Sequence, residues 1–525
     1  MVQKGKKLRY SLFVFVIAFS MLLAGCGGGN KDSKESASSP PETSKAPATA
    51  DAQASPSASG QTDASQLKPV KLIWYYLGTE DGDTEAVFAA ANKIIQSKIN
   101  ATVEFHPMSN ADFKAKMPLK VAAGEKFDLT YTADYIFTYL DNVIKGAFLP
   151  LDDLIHLYAP QTEELIADDI WDAVKVNGKK YAVPNTQVQN RQSGFLFKKE
   201  LVDKYNLKDQ VLAVKTMEDL TPLFEVIKKN EPGMFGIAVP PNHRKYEVRT
   251  KDDYVEQLVI GVPVAVDYNL KVVNLTEGAY KEESLNDYKI AREWAKKGYF
   301  HPDAALTKDL KNIQKEGKFF VIEDNFKPGV EADSKQKWGY DVYGVPMGQA
   351  VLSTGSISAA LTAVSRTSEN PERAMMLIEL MNTDKELLNL LTFGIEGVDY
   401  KKTGDNSIEV IAQKPYAGKA WAMGNQFLAY TLPGQDPDVW EQTDEKNKTA
   451  LPAPTIGFSF DPTPVKTEFA NLTAITEKYR LILGFGTTDD YAKIYEQEIK
   501  EYQDAGLQKY MDELQKQLDA WKAAK

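Results

Sequence analysis

The chain has 525 residues, of which 43% are hydrophobic and 26% charged, with a formal net charge of −11 and a single cysteine. That acidic balance excludes nucleic acid, whose phosphate backbone rewards excess Lys and Arg, and anionic lipid as electrostatic partners. One cysteine excludes disulfides within the chain, and the length exceeds one compact core, so two or more domains are expected.

The first element is a leader. Lys4, Lys6, Lys7 and Arg9 precede an apolar run from Leu12 to Leu23, the build of a secretory signal peptide. The run is shorter than the roughly 20 apolar residues that span a bilayer, so residues 1–25 are expected to be exported and cleaved. Leu23, Ala24, Gly25 and Cys26 resemble the bacterial lipobox. The resemblance implies that Cys26 is lipidated, begins the mature chain and anchors it to the outer face of the cell membrane. Residues 26–68 then read as a tether: from Gly27 to Lys68 there is no aromatic residue, valine or isoleucine to offset the entropy of ordering. As a flexible coil, about 40 residues reach roughly 35 Å.

A strand is predicted from Val70 to Tyr75, ending at Tyr76, Leu77 and Gly78. Asp83 or Thr84 caps a helix through Lys98, with Val87, Ala91, Ile94 and Ile95 on one face. "ATVEFHP" alternates as a strand, Asn110 caps a second helix that Gly124 ends, and "FDLTYT" is a third strand. Strands alternating with helices predict a parallel α/β sheet, in which ligands gather at the carboxyl ends of strands. Asn177-Gly178 between short alternating runs predicts a hairpin. Helices are expected at Met217 to Lys229 and Ser284 to Lys297, and another starts at Pro371 behind Asn370 as its cap. From Ala505 to Lys525, Leu507, Tyr510, Met511, Leu514, Leu518 and Trp521 form one stripe, which reads as docked on the body.

Catalytic signatures are sparse. The four histidines, at 106, 156, 243 and 301, have no i, i+4 pair and no cysteine partner, so no zinc site or other metal is expected. "DGDTE" at Asp81 to Glu85 lacks the EF-hand glycine and terminal glutamate, and "GFGTTDD" from Gly484 lacks the Walker lysine. No G-x-S-x-G elbow occurs, and no cofactor is implied. Among 73 acidic residues some pair always meets glycosidase spacing, so acidic content carries no information on that chemistry. The aromatic inventory is more telling: 7 Trp, 25 Tyr and 23 Phe, several beside amides and carboxylates. Sugar rings present an apolar face and a rim of hydroxyls, so their binders need flat plates beside planar hydrogen-bonding groups. "WYYLG", "TADY", "VPNTQVQN" and "GKAWAMGNQF" offer that mixture. Trp294 and Trp521 lie on helical stripes and read as core, whereas Trp421 and Trp440 sit in Gly/Pro-punctuated contexts.

"GAFLPLDDLI" from Gly146, "VNGKKYAVP" from Val176, "LFKKELVDKYNL" from Leu196 and the long run "NPERAMMLIELMNTDKELLNLLTFGIEGVDY" from Asn370 resemble the extracellular solute-binding proteins of bacterial ABC importers, in the large family that includes sugar binders. "GFSFDPTPVKTEFANLTAI" with "AGLQKYMDELQKQLDAW" is similar to the C-terminal module of unknown function in a lipoprotein subgroup of those binders. The similarity extends over nearly everything after Pro69. It implies a type II periplasmic-binding-protein fold, two α/β lobes with hinge strands and a helical C-terminal extension, with lobe 1 at residues 69–185 and 350–415 and lobe 2 with the module at 186–349 and 416–525. It also implies a monomer with no catalytic residue, which captures a carbohydrate and docks on ABC permease subunits. By loop context the ligand contacts would be Tyr75 and Tyr76, Asp134 and Tyr135, Asn185 and Gln187, with Trp421 and Trp338 from the second lobe. Rival readings are a surface-anchored glycoside hydrolase or lyase, an adhesion or sensory lipoprotein, and an importer component with a peptide or other non-sugar cargo.

Overall fold

The structure is a computed structural model that describes residues 66–242, 254–259, 261–304 and 314–524. The leader, Cys26 and all but the last residues of the tether lie outside the described residues, as does His243.

Two sheets organise the body. The first has five strands in the order Ala101–Met108, Val70–Leu77, Leu129–Thr132, Leu361–Val364 and Val183–Pro184. Its first three strands are parallel, as the alternation of strand and helix requires. Leu361–Val364 enters antiparallel beside Leu129–Thr132, so a segment from far along the chain completes this sheet. Such a crossing gives the fold two lobes joined by more than one connection. Leu72, Trp74, Leu77 and Leu129 are buried in one core with Val87, Ala91 and Ile95 of the Thr84–Ile99 helix. Each fully buried aliphatic side chain contributes about 1.5–3 kcal/mol.

The second sheet runs Val342–Pro346, Ser193–Lys198, Phe319–Asn325 and Phe235–Ile237. Its core collects Phe195, Phe197, Phe224, Phe320 and Trp294, with the Trp294 indole N–H donating to Thr221 Oγ1 at 2.9 Å. The expected helices are present as Leu220–Asn230 and Gly278–Lys296. Between the sheets lie three short hinge strands, Leu451–Pro452, Val351–Leu352 and Asn190–Arg191.

Local details follow the sequence closely. Asn177 and Gly178 adopt φ of 52° and 77°, both positive as a type I′ hairpin turn needs. The second helix, Asn110–Ala122, is capped one residue earlier than expected: Ser109 Oγ accepts from the Asp112 N–H at 3.2 Å, and Asn110 is its first residue. The segment after residue 415 departs more. Tyr416, Ala420, Ala422, Met423, Ala429 and Ala450 are buried in the first core, so this stretch packs with the first lobe where the division at 415 expected the second.

Three helices end the chain: Lys466–Gly484, Tyr491–Asp504 and Leu507–Ala524. Leu507, Tyr510, Leu514 and Leu518 of the last are buried against Val262, Val264 and Val266, and Gln515 Oε1 accepts from the Val272 N–H at 2.9 Å. The stripe is docked, on a three-stranded sheet formed by Val255–Glu256, Val264–Asp267 and Val272–Asn274.

Candidate functional site

The hinge and the end of the Phe319–Asn325 strand meet at a cavity of about 610 Å³. Three structures wall it. The hinge contributes Arg191, Gln192, Ser193 and Ser353, the end of the Phe319–Asn325 strand contributes Glu323, Asp324 and Asn325, and the edge segment Tyr254 to Gln257 closes a further side. The lining is dense in planar amides, carboxylates and hydroxyls, which together offer donors and acceptors in every direction. Asp324 is tied back to Lys337 at 2.8 Å. Glu256 accepts from the Tyr254 hydroxyl at 3.0 Å and from Thr455 Oγ1. Burial raises the Glu256 carboxyl above its ordinary value, and the surrounding hydroxyls pull the other way.

On the first lobe, Asp134 and Tyr135 follow the Leu129–Thr132 strand after Ala133. Both side chains are accessible to solvent, yet desolvation in the recess raises the Asp134 carboxyl above the usual range while the Arg191 charge opposes the rise. Gly355 lies between Asp134 and the cavity wall: a Cβ built there would stand 3.3 Å from Asp134 Oδ2 and 3.9 Å from Ser353 Oγ. Tyr135 is 48% exposed, unusual for so large a ring. Its hydroxyl lies 3.0 Å from that of Tyr131, whose single proton goes to the Ala359 carbonyl at 2.6 Å, so Tyr135 donates and Tyr131 accepts. The Tyr131 ring meets Trp421 edge-on at 6.1 Å.

The expected contacts therefore divide. Asp134, Tyr135 and Trp421 are not among the residues that line the cavity; Tyr131 links two of them, its hydroxyl to Tyr135 and its ring to Trp421. Asn185, 1% exposed, donates from Nδ2 to the Trp421 carbonyl at 3.1 Å and accepts from Thr362 Oγ1, so it holds that group from behind. Gln187 lies on the hinge segment, its carbonyl accepting from Asn447 Nδ2 at 2.8 Å. Trp421 packs with the first lobe and not, as expected, with the second. Tyr75 and Tyr76 are not in the cleft: the strand runs on to Leu77, so both lie inside a covered strand. Tyr75 stacks on His106 and donates to Glu125 at 2.9 Å, and Tyr76 packs on Trp74. Trp338 ends the Val330–Trp338 helix in a core with Leu196, Phe319 and Val342. Trp440, read as a loop residue, is on the Val439–Thr449 helix and donates its indole N–H to the Ala429 carbonyl at 2.7 Å.

Arg191, Gln192, Ser193, Glu256, Glu323 and Asn325 had escaped the sequence reading. The first three directly continue "VPNTQVQN", an amide-rich run whose signal extends to them; the others are brought in by the fold alone. Among the described residues no cluster of three His, Cys, Asp or Glu is placed to hold a metal ion.

Two α/β lobes and hinge strands with a polar cavity beside the hinge define the fold as the type II periplasmic-binding-protein fold. Particular relatives agree. Residues 454–523 match a domain of unknown function (DUF3502). A carbohydrate ABC transporter substrate-binding protein of Streptococcus pneumoniae is 26% identical over 469 residues, 86% of this chain and 91% of that one. The crystal structure of the N-glycan transport solute binding protein (NgtS) from S. pneumoniae matches with a TM-score of 0.76 at 25% identity, over 86% of this chain and 99% of that one. NgtS in complex with Man5GlcNAc matches with a TM-score of 0.68 at 24% identity, over 87% and 99%.

Proposed function

We propose that this protein captures an oligosaccharide between its lobes and delivers it to the permease of an ABC importer. One observation carries the reading: a cavity lined by amides, carboxylates and hydroxyls opens beside the hinge strands, with the Tyr254 ring on its wall. A ring face for the apolar side of a sugar and planar acceptors for its rim are the two demands a neutral carbohydrate makes. The relatives' names point to the same cargo class. In this proposal the leader is removed, Cys26 carries lipid, and residues 26–68 tether a monomer to the outer face of the membrane. The net charge of −11 leaves the lipid to do the anchoring.

Thermal shift against a panel of mannose–GlcNAc and other oligosaccharides, peptides and polyamines tests the cargo. A ligand at 100 times its Kd should stabilise the fold by about 2.7 kcal/mol. A peptide that shifts the melt where no sugar does overturns the carbohydrate reading. The Glu256 carboxyl, raised by burial, shares the cavity with Glu323, which also suits a glycoside hydrolase. Recovery of the glycan at unchanged length after long incubation is the expected result, and shortened products would establish an enzyme.

A further inference from the structure

We propose that the C-terminal module is a working part of the cleft: Thr455 positions Glu256, and Glu256 is the carboxylate that reads the ligand's hydroxyls on that wall. The ligand's identity rests on the carbohydrate reading above, whereas the assignment of the wall rests on geometry alone.

The wall from Tyr254 to Gln257 belongs to the edge strand of the three-stranded sheet. That sheet has no core of its own. Val262, Val264 and Val266 bury themselves among Phe458, Phe460, Leu514 and Leu518, so the module is the platform on which this side of the cavity stands. The contact then becomes specific. Thr455 is fully buried, and its hydroxyl donates to Glu256 Oε2, the oxygen that also accepts from the Tyr254 hydroxyl at 3.0 Å. Ser353 bonds to the same carboxyl, and a carboxylate with about four lone-pair sites keeps capacity for a further donor.

The same few residues hold the opposite wall. Thr354 Oγ1 donates to the Thr455 carbonyl at 3.2 Å and accepts from the Gly457 N–H at 2.9 Å. Thr354 directly follows Ser353, which lines the cavity and caps the short Thr354–Ile357 helix. Thr455 and Gly457 therefore set the spacing of two walls. A carboxylate held by hydroxyls in a partly dry recess forms short, charge-assisted hydrogen bonds to a sugar hydroxyl without first losing side-chain freedom.

The test uses the mature chain with Thr455→Val, Thr455→Ser and Glu256→Gln, and Lys516→Ala as a control on the module's exposed face. Hydrogen–deuterium exchange of the ligand-free proteins reads the wall, and calorimetric titration with Man5GlcNAc and the oligosaccharides of the panel reads the affinity. Thr455→Val should raise exchange across residues 254–259. It should also weaken binding about tenfold to a hundredfold, as should Glu256→Gln, with Thr455→Ser restoring both readouts and Lys516→Ala changing neither. Wild-type exchange and wild-type affinity in Thr455→Val would overturn the inference. A wild-type protein silent to every oligosaccharide, with the Thr455→Val wall still loosened, would sink the cargo reading and leave the positioning by Thr455 standing.

Discussion

In the proposed function Tyr135 is a side chain committed to binding. A tyrosine 48% exposed gives up most of the burial energy a ring of that size contributes in a core, and its hydroxyl is spent on Tyr131 and not on solvent alone. Its ring is thereby oriented but uncovered. Tyr135→Ala should leave Tm within about a degree or two, because little buried area is lost. Oligosaccharide affinity should fall by about 1–2 kcal/mol in a calorimetric titration, with Tyr135→Phe losing less because the plate survives. Glu498 shows the reverse commitment. It is buried in the C-terminal module, with Oε1 accepting from the Tyr502 hydroxyl at 2.7 Å and Oε2 without a hydrogen-bond partner. Desolvation pushes its carboxyl up to about 7, with the nearby Glu501 charge adding to the rise and the Tyr502 bond opposing it. The folded chain thus holds this proton more tightly than the unfolded chain, so its contribution is favourable below the ordinary carboxylate value and is lost as pH rises through 7. Between pH 5 and pH 8, chemical denaturation should show wild type losing about 1–3 kcal/mol more than Glu498→Gln. Parallel pH profiles for the two proteins would show that Glu498 ionises as it would in water.

At the scale of elements, the Val439–Thr449 helix matters more than its polar sequence suggests. Asn447 projects from it onto the hinge: Oδ1 accepts from the Gln189 N–H at 3.0 Å, the Asn190 N–H at 3.3 Å and Asn190 Nδ2 at 2.7 Å, while Nδ2 donates to the Gln187 carbonyl. Asn447→Ala would strand several buried polar groups at once. It should cost about 2–4 kcal/mol, measured as a lower denaturation midpoint, with faster exchange confined first to residues 187–191. Nothing in "EQTDEKNKTA" announces this, because a hinge clamp needs only one amide at the right place and leaves no periodic trace. Elements whose signals are local were legible: the Asn177-Gly178 hairpin, Pro371 behind Asn370 at the start of the Pro371–Thr383 helix, and the stripe from Leu507 to Leu518. Of the cavity lining no residue was named from the sequence, although "VPNTQVQN" ends directly before Arg191. "TADY" stood out because a carboxylate and a tyrosine directly follow a short apolar strand. Tyr75 and Tyr76 were misplaced because two more residues of strand decide between loop and core, and an aromatic run looks alike in either. Glu256 and Glu323 could not be read at all, since 67 residues separate them and only the closing of two sheets brings them to one cavity.

For the whole molecule, the proposed division of binding groups between lobes would make ligand capture and closure a single event. Asp134 and Tyr135 lie in the loop after a strand of the first sheet, Glu323 and Asn325 in the second sheet, and Arg191 on the hinge strands. No single lobe holds enough of these groups to satisfy the rim of a sugar. The closed arrangement therefore binds more tightly than the open one, and the ligand shifts the population by that difference in affinity. A ratio of about 100 between the two affinities is worth about 2.7 kcal/mol, enough to turn an even mixture almost wholly closed. Small-angle scattering of the mature chain should accordingly show a smaller radius of gyration at saturating oligosaccharide, and Asn447→Ala, which frees the hinge segment, should broaden the distribution in the ligand-free state only. Tyr135→Ala should reach the same compact limit as wild type, at higher ligand concentration, because it weakens a contact without altering the hinge. A radius of gyration that stays constant while calorimetry records binding would mean that the cavity is preformed, and that a permease must recognise something other than the closing of the lobes.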